Sequence, residues 1–412
     1  MSHSLRSDSG LAKLAVVLGV GGLVLLGGTG AVLLNGSRGS GESGDSVATG
    51  GADGPTPTPA PVVAVVAGST GSTVPWQRPL TFSVTHGTLT SVKASDADGT
   101  ALPGTLTPTT WTSTSTLVPG HAYALHADVR NSAGKASALD RRVTAAAATS
   151  LLKATVSPDG GTFGIGQAVI VRFNHSVGGR ISRQAVQDHL KVTSTPEVRG
   201  AWHWYNSFEV HYRGPAYWTP GTTIKVTAAL AGVHLPGTET WGATDAVSSH
   251  YSIGDALVAT VDVTAHIMTV RRSGSLVRTV KVSTGRDKYP TKGGVHVVLV
   301  REQKHLYDSA TVGIPTASPD GYYEYLPWSV RISNGGAFVH ANPATTRVQG
   351  VANVSHGCVN TSIVDAKWFY DNSKLGDIVN VIHAAVPPNT GDEGMADWNY
   401  TWAEWTSGNL NG

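Results

Sequence analysis

Between Leu80 and Ile382 the chain is written in short alternating runs cut by turn dipeptides, a pattern that directs it into β-sheet. Leu80-Thr81-Phe82-Ser83-Val84, Leu89-Thr90-Ser91-Val92 and the run 122–129 alternate apolar and polar residues. Asp98-Gly99, Pro103-Gly104 and Pro119-Gly120 punctuate them as turns. Strands so short and so spaced predict a β-sandwich over residues 74–148. A second unit, 149–252, repeats the style in the runs 168–173, 208–212 and 222–228. One helix is expected there over 182–190, capped by Ser182, with Val186 and Leu190 on one face. A third unit, 253–384, is again rich in strands. Runs 266–270 and 276–280 flank the turn Arg272-Ser273-Gly274-Ser275, and further strands are expected at 295–300, 337–341 and 378–382. A short helix is expected at 363–369, and residues 385–412 form a C-terminal extension.

With 412 residues, and about 100–200 residues to a domain, the chain holds several domains. Only 14% of residues are charged, with 49 glycines and 21 prolines, the profile of an exported, mainly β protein. The net charge of +2 comes without any Lys/Arg block, which excludes a nucleic-acid partner, since phosphate neutralisation needs clustered cations.

Residues 14–34 read LAVVLGVGGLVLLGGTGAVLL, uncharged and preceded by Arg6 and Lys13. A run of about 20 apolar residues spans a hydrocarbon core, and cations before it keep that end cytoplasmic. Residues 1–35 are therefore expected to be a cytoplasmic tip and membrane anchor, with the rest of the chain outside. A cleaved signal sequence is the competing reading, and it would leave the protein secreted or wall-associated. Lipid attachment through cysteine is excluded, because none precedes position 358. Residues 36–73, rich in Gly, Thr and Pro, read as an extended linker. The run Val62-Val63-Ala64-Val65-Val66 makes its end soft, since it also reads as a first strand.

Cys358 is the only cysteine, in the segment Ser355-His356-Gly357-Cys358-Val359-Asn360. On the oxidising side of a membrane a lone thiol has no disulfide partner within the chain, which points to chemistry. A thiol is mostly protonated at neutral pH, and a histidine beside it supplies the base for nucleophilic attack. The spacing leaves two histidines open for that role. His356 lies two residues away, and His340 ends an apolar strand upstream. Gly357 permits a tight turn in which its N–H and that of Cys358 face a substrate oxygen. A zinc site built from His340, His356 and Cys358 is disfavoured, because a bound metal would quench the nucleophile.

His340 together with the Ser355–Asn360 block resembles the signature of the L,D-transpeptidases, whose catalytic domain is of the YkuD type. The runs 262–270, 282–285, 290–294 and 334–340 look like the actinobacterial branch, and the preceding units resemble bacterial immunoglobulin-like domains. The resemblance covers most of residues 74–405. It implies two immunoglobulin-like β-sandwiches followed by a YkuD-type catalytic domain. It also implies a reaction on peptidoglycan tetrapeptide stems as acyl donor and acceptor. The cysteine attacks diaminopimelate, D-alanine leaves, and a second diaminopimelate amine takes the acyl group to form a 3→3 cross-link. No cofactor or metal is implied.

By the same resemblance Cys358 is the nucleophile, His340 the base, and the carbonyl of Ala341 holds the second ring nitrogen of His340. A serine often stands in related enzymes where this chain has Ala341, so any hydroxyl role is lost while the backbone role survives. His356 steadies the site, Gly357 and Cys358 give oxyanion amides, and Ser355 and Asn360 touch substrate or brace the motif. Residues 319–328 resemble a lid, from which Tyr322 or Tyr323 would supply a hydroxyl. Carbapenem β-lactams are implied as covalent inhibitors.

Trp398, Trp402 and Trp405 share one helical face by spacing, and the extension is expected to pack on the catalytic domain. Trp202, Trp204, Tyr205, Tyr217 and Trp218 form either a sandwich core or a sugar-binding face. Lys304 and Arg331 are either solvated or steer stem carboxylates. Among functions, a Cys-His hydrolase of the wall differs only in whether water resolves the thioester. A non-catalytic wall-binding protein leaves the Cys-His block unexplained.

Overall fold

A computed structural model describes residues 62–65, 72–388, 395–408 and 410. The apolar run 14–34 and most of the linker lie outside the described residues, among which no helix is long and apolar enough to cross a membrane.

Three β-rich bodies follow one another. In the first, strand Val62–Val65 pairs with Thr81–Thr85, so a strand lies inside the segment read as linker. Two four-stranded sheets face each other across Trp76, Phe82, Trp111, Leu117 and Leu125. The strand Ala122–Asn131 buries every second residue, as its alternation requires.

The second body has two more four-stranded sheets, 154–157/169–173/209–213/201–206 and 162–163/247–253/223–228/190–195. Trp204, Trp218, Val171 and Val226 fill the space between them. Trp204 and Trp218 therefore serve the core, while Trp202 and Tyr205 are half-buried and Tyr217 is exposed. The helix of this body runs Gly179–Gln187 with Gly178 at the N-cap, four residues before the position expected for a cap. Ser182 is buried inside the helix, because the helix starts at the left-handed Gly179 rather than at a side-chain cap.

The third body sets a five-stranded sheet, 275–281/267–272/257–262/378–382/294–297, against a four-stranded one, 300–308/323–331/338–341/359–361. Valines from both, with Leu257, Met268 and Phe369, make the core between them. Ser273 and Gly274 both take positive φ, the geometry of a tight hairpin turn. The run 295–300, read as one strand, is split between the two sheets. Val298 N–H donates to Asp377 and Leu299 N–H to Arg331, so the chain crosses from sheet to sheet there. Helix Ile363–Asn372 is capped by Ser362 and buries Ala366 and Phe369.

The second and third bodies share apolar packing, since Val297 and Ile378 belong to the core of the second. Gly164 N–H donates to Leu375 and Gly166 N–H to Gly376. A Cβ on Gly164 would lie 2.2 Å from the Asp377 nitrogen, so this approach needs glycine. The extension packs chiefly on the second body rather than on the catalytic one. Trp405 is fully buried, donates to Ala201 and stacks on His203 at 4.7 Å, and Trp398 donates to Gly166. The extension meets the third body through Asn399, which bonds both backbone groups of Val295, and through the Val386 carbonyl, which accepts from the Gly293 N–H.

Candidate active site

Strand Phe338–Ala341 pairs in parallel with Val359–Thr361, setting His340 opposite Asn360. Alternation turns Val339 and Val359 into the core between the sheets. Phe338 and Cys358 belong instead to a small cluster with Tyr307, Leu326 and Tyr322 on the other face. Cys358, two residues before Asn360, thus shares the His340 face on a neighbouring strand, with strands about 4.8 Å apart. Both residues line one cleft of about 190 Å3.

The His340 Nδ1–H donates to the carbonyl of Ala341 at 2.9 Å, which leaves Nε2 with its lone pair. Burial drives the imidazole down to about 4, against the opposing pull of that carbonyl. Burial likewise pushes the Cys358 thiol up to about 11, against the backbone of Phe338 and the charge of Arg331. Both shifts favour the neutral imidazole and the neutral thiol. Tyr307, buried and donating to Ser329, lies over His340 with ring centres 4.6 Å apart.

Before the cysteine the chain turns on hydrogen bonds of its own. Ser355 Oγ donates to the Cys358 carbonyl at 2.6 Å and accepts from the Gly357 N–H at 3.1 Å. Gly357 takes φ +117, a conformation that favours glycine. Its N–H is consequently spent within the turn, contrary to the expectation of an oxyanion donor. The Cys358 N–H has no acceptor among the described residues. Ser355 is buried and braces the turn, so the expected substrate contact is replaced by an internal one. Thr291 adds a second brace, donating to the Gly357 carbonyl and accepting from the Gly285 N–H. Asn360 is buried beside His340 at the cleft wall, its backbone paired in both directions with Ser283.

Within this turn, the His356 ring lies between the tilted rings of Tyr289 at 4.8 Å and Tyr322 at 5.0 Å. Arg286 donates to its Nε2 at 2.8 Å, so the ring proton is on Nδ1. Burial and the Arg286 charge both lower its pKa, keeping His356 neutral. The Nε2 of His356 is thereby taken up by a guanidinium and not offered to a cation. Tyr322 lines both this cleft and a second one of about 170 Å3 that meets it at Cys358. Tyr323 points away and is 63% exposed, which separates the two tyrosines that the sequence leaves equal. Lys304 covers the Tyr325 ring and Arg331 the Phe338 ring, so neither is a free cation aimed at the cleft.

Sequence reasoning misses Tyr307, Arg286, Tyr289, Thr291 and Asp320. Tyr307 sits in the strand Val300–Asp308, whose charges fall on both faces and mask its alternation. A signal for it exists in the period-two pair His305 and Tyr307, whose rings meet at 4.9 Å. Of the loop residues, Thr291 and Asp320 lie in the runs 290–294 and 319–328 that resemble the family, while Arg286 and Tyr289 fall outside them.

Comparison with known proteins places this geometry. The L,D-transpeptidase catalytic domain, YkuD, matches residues 257–381, and a bacterial Ig domain matches residues 71–234. L,D-transpeptidase 2 of Mycobacterium tuberculosis (strain CDC 1551 / Oshkosh) is 35% identical over 347 residues, covering 84% of this chain and 83% of that protein. L,D-transpeptidase 5 of Mycobacterium tuberculosis (strain ATCC 25618 / H37Rv) is 29% identical over 361 residues, covering 85% and 77%. A solved structure of the LD transpeptidase LdtMt1 in complex with imipenem is 31% identical with a TM-score of 0.49, covering 57% of this chain and 99% of that one. The chain belongs to the L,D-transpeptidase family, with a YkuD catalytic domain behind bacterial immunoglobulin-like domains. It is an enzyme of the cysteine-dependent acyltransferase class, which cross-links peptidoglycan outside the cytoplasm by the 3→3 reaction with release of D-alanine.

Proposed function

We propose that Cys358 is the nucleophile and His340 its base. The Cys358 sulfur attacks the diaminopimelate carbonyl of a tetrapeptide stem while His340 Nε2 takes the thiol proton. The C–N bond to D-alanine then breaks, and the same proton passes to the departing amine. A side-chain amine of diaminopimelate on a second stem attacks the thioester, giving its proton to His340 and returning the sulfur as a thiol. What supports this is the His340 ring, with Nδ1–H committed to Ala341 and a neutral Nε2 in the cleft that holds the sulfur.

The Cys358 N–H and the Tyr322 hydroxyl serve as oxyanion donors. Burial and the neighbouring Cys358 push the Tyr322 hydroxyl up to about 12, so it keeps the proton it donates. Ser355, Gly357 and Thr291 shape the turn, Asn360 braces it from the next strand, and His356 borders both clefts. Two clefts meeting at one sulfur suit a donor stem on one side and an acceptor on the other. A carbapenem would acylate Cys358 by presenting its strained ring carbonyl where the stem carbonyl lies. The segment 14–34 would hold the catalytic body to the membrane on its wall side.

The test is product analysis after incubation with a disaccharide-tetrapeptide. The wild type should give a dimer that has lost one D-alanine, and Cys358→Ala should give none. D-alanine release without dimer would instead identify a hydrolase, in which water resolves the thioester.

A further inference from the structure

The loop between strands Val300–Asp308 and Tyr323–Arg331 carries Tyr322 to the sulfur, and its own hydrogen bonds close its base, where Ser309 and Tyr322 bond in both directions, without crossing the cleft. Ile314 and Tyr322 bond back to Ser309, Thr316 to Asp308, Ser318 to Pro315 and Gly321 to Ser318. Among the described residues, Asp320 alone carries a hydrogen bond from this loop across to the opposite sheet's loop, the others closing on the loop itself or on its flanking strand. One oxygen of its carboxylate takes the Arg286 guanidinium. The other accepts from Lys288 Nζ at 2.6 Å and from the Tyr289 hydroxyl at 3.0 Å. Those three donors sit on one loop of the opposite sheet, and Arg286 spends the same nitrogen on His356 Nε2.

We propose that Asp320 is the clasp that holds Tyr322 over Cys358, and that through Arg286 it also fixes the ring of His356. Both Asp320 and Arg286 are positioning residues, acting through Tyr322 and His356. An isolated surface ion pair contributes little, but here one carboxylate gathers three donors between two loops that border the same sulfur. Side-chain exposure of 24% for Asp320 and 33% for Arg286 leaves the clasp open to salt. Released, the 309–322 loop loses its tie across the cleft, and Tyr322 and His356 lose their shared register.

The inference rests on the catalytic reading above for its kinetics, and hydrogen exchange tests it independently of activity. In full-length protein, Asp320→Ala should raise amide exchange in peptides covering 309–322 while leaving the strand 257–262 unchanged. With disaccharide-tetrapeptide as substrate, kcat for D-alanine release should fall about ten- to hundredfold, as expected of a displaced catalytic group, with KM changed far less. Asp320→Glu should restore part of it. Lys288→Ala, at an exposed position, should give a smaller fall. Raising NaCl from about 50 mM to about 500 mM should slow the wild type and leave Asp320→Ala unaffected. Unchanged exchange over 309–322 in Asp320→Ala would overturn the clasp. So would wild-type kcat and salt response in that variant. A wild type that releases no D-alanine, while exchange responds as expected, would instead overturn the catalytic reading alone.

Discussion

The strand pairing that brings His340 and Cys358 together buries the first and half-buries the second, and loss of solvent acts on each against its charged form. The consequence is a pH profile. His340 must be neutral to accept the thiol proton, so the rate falls as pH drops through about 4, where its ring protonates. The thiol holds its proton until about 11, so the rate is flat through neutrality. The expected kcat/KM for D-alanine release therefore has its acid limb well below the ordinary histidine range. A limb near 6.5 would mean that a charged pair forms instead. His340→Ala should reduce the rate about 10²–10⁴-fold, the usual contribution of a general base, and should remove that limb. The proposed nucleophile stands out in the sequence because a lone cysteine after a long apolar run has few uses, whereas spacing leaves His340 and His356 equal as its base and only the family resemblance separates them. The oxyanion donors do not stand out. Whether the Gly357 N–H is free depends on where the Ser355 hydroxyl turns, and only the folded loop decides that.

At the scale of elements, the sequence marks the extension correctly as an aromatic stripe but mistakes its shape and its partner. The spacing of Trp398, Trp402 and Trp405 reads as one helix, while the chain forms a short turn of helix at Asp397–Asn399 and a separate helix Trp402–Ser407. The reason is Arg213 of the second sandwich. Its guanidinium lies 4.7, 5.6 and 4.5 Å from the three rings and donates to the carbonyls of Asp397 and Tyr400, which fixes the break between the two pieces. Beside it the buried His211 bonds Asp397 at 2.7 Å and Glu209 at 2.6 Å. Burial opposes a charge on His211, but the two carboxylates prevail and hold its pKa up near about 9. Removing one partner of a buried pair typically costs about 3–5 kcal/mol. Asp397→Ala should therefore lower the melting temperature markedly and open residues 395–408 to limited proteolysis. An unchanged melt and proteolytic pattern would show that the tryptophan packing suffices alone. The strand read over 295–300 fails for a related reason: apolar continuity does not say which sheet takes each end.

Across the whole molecule, the sandwich-like patterning and the catalytic body are legible because period-two alternation and turn dipeptides are local. The joins between bodies are not, since they depend on close backbone approach at Gly164 and on Val297 and Ile378 entering a neighbour's core. Those joins tie the catalytic body, the second sandwich and the extension by shared packing. They fall on the five-stranded sheet, against which the sheet carrying His340 packs through the shared valine core. That arrangement suits an enzyme whose two substrates are parts of an extended polymer and whose sulfur must stay between two clefts. The most direct test is intact-mass spectrometry of the full chain during turnover of a disaccharide-tetrapeptide, with peptide mapping of any adduct. The expected result is a thioester on Cys358 with the mass of the stem less D-alanine, decaying as cross-linked dimer accumulates. Dimer formation by Cys358→Ala, or an adduct mapped to any other residue, would contradict it.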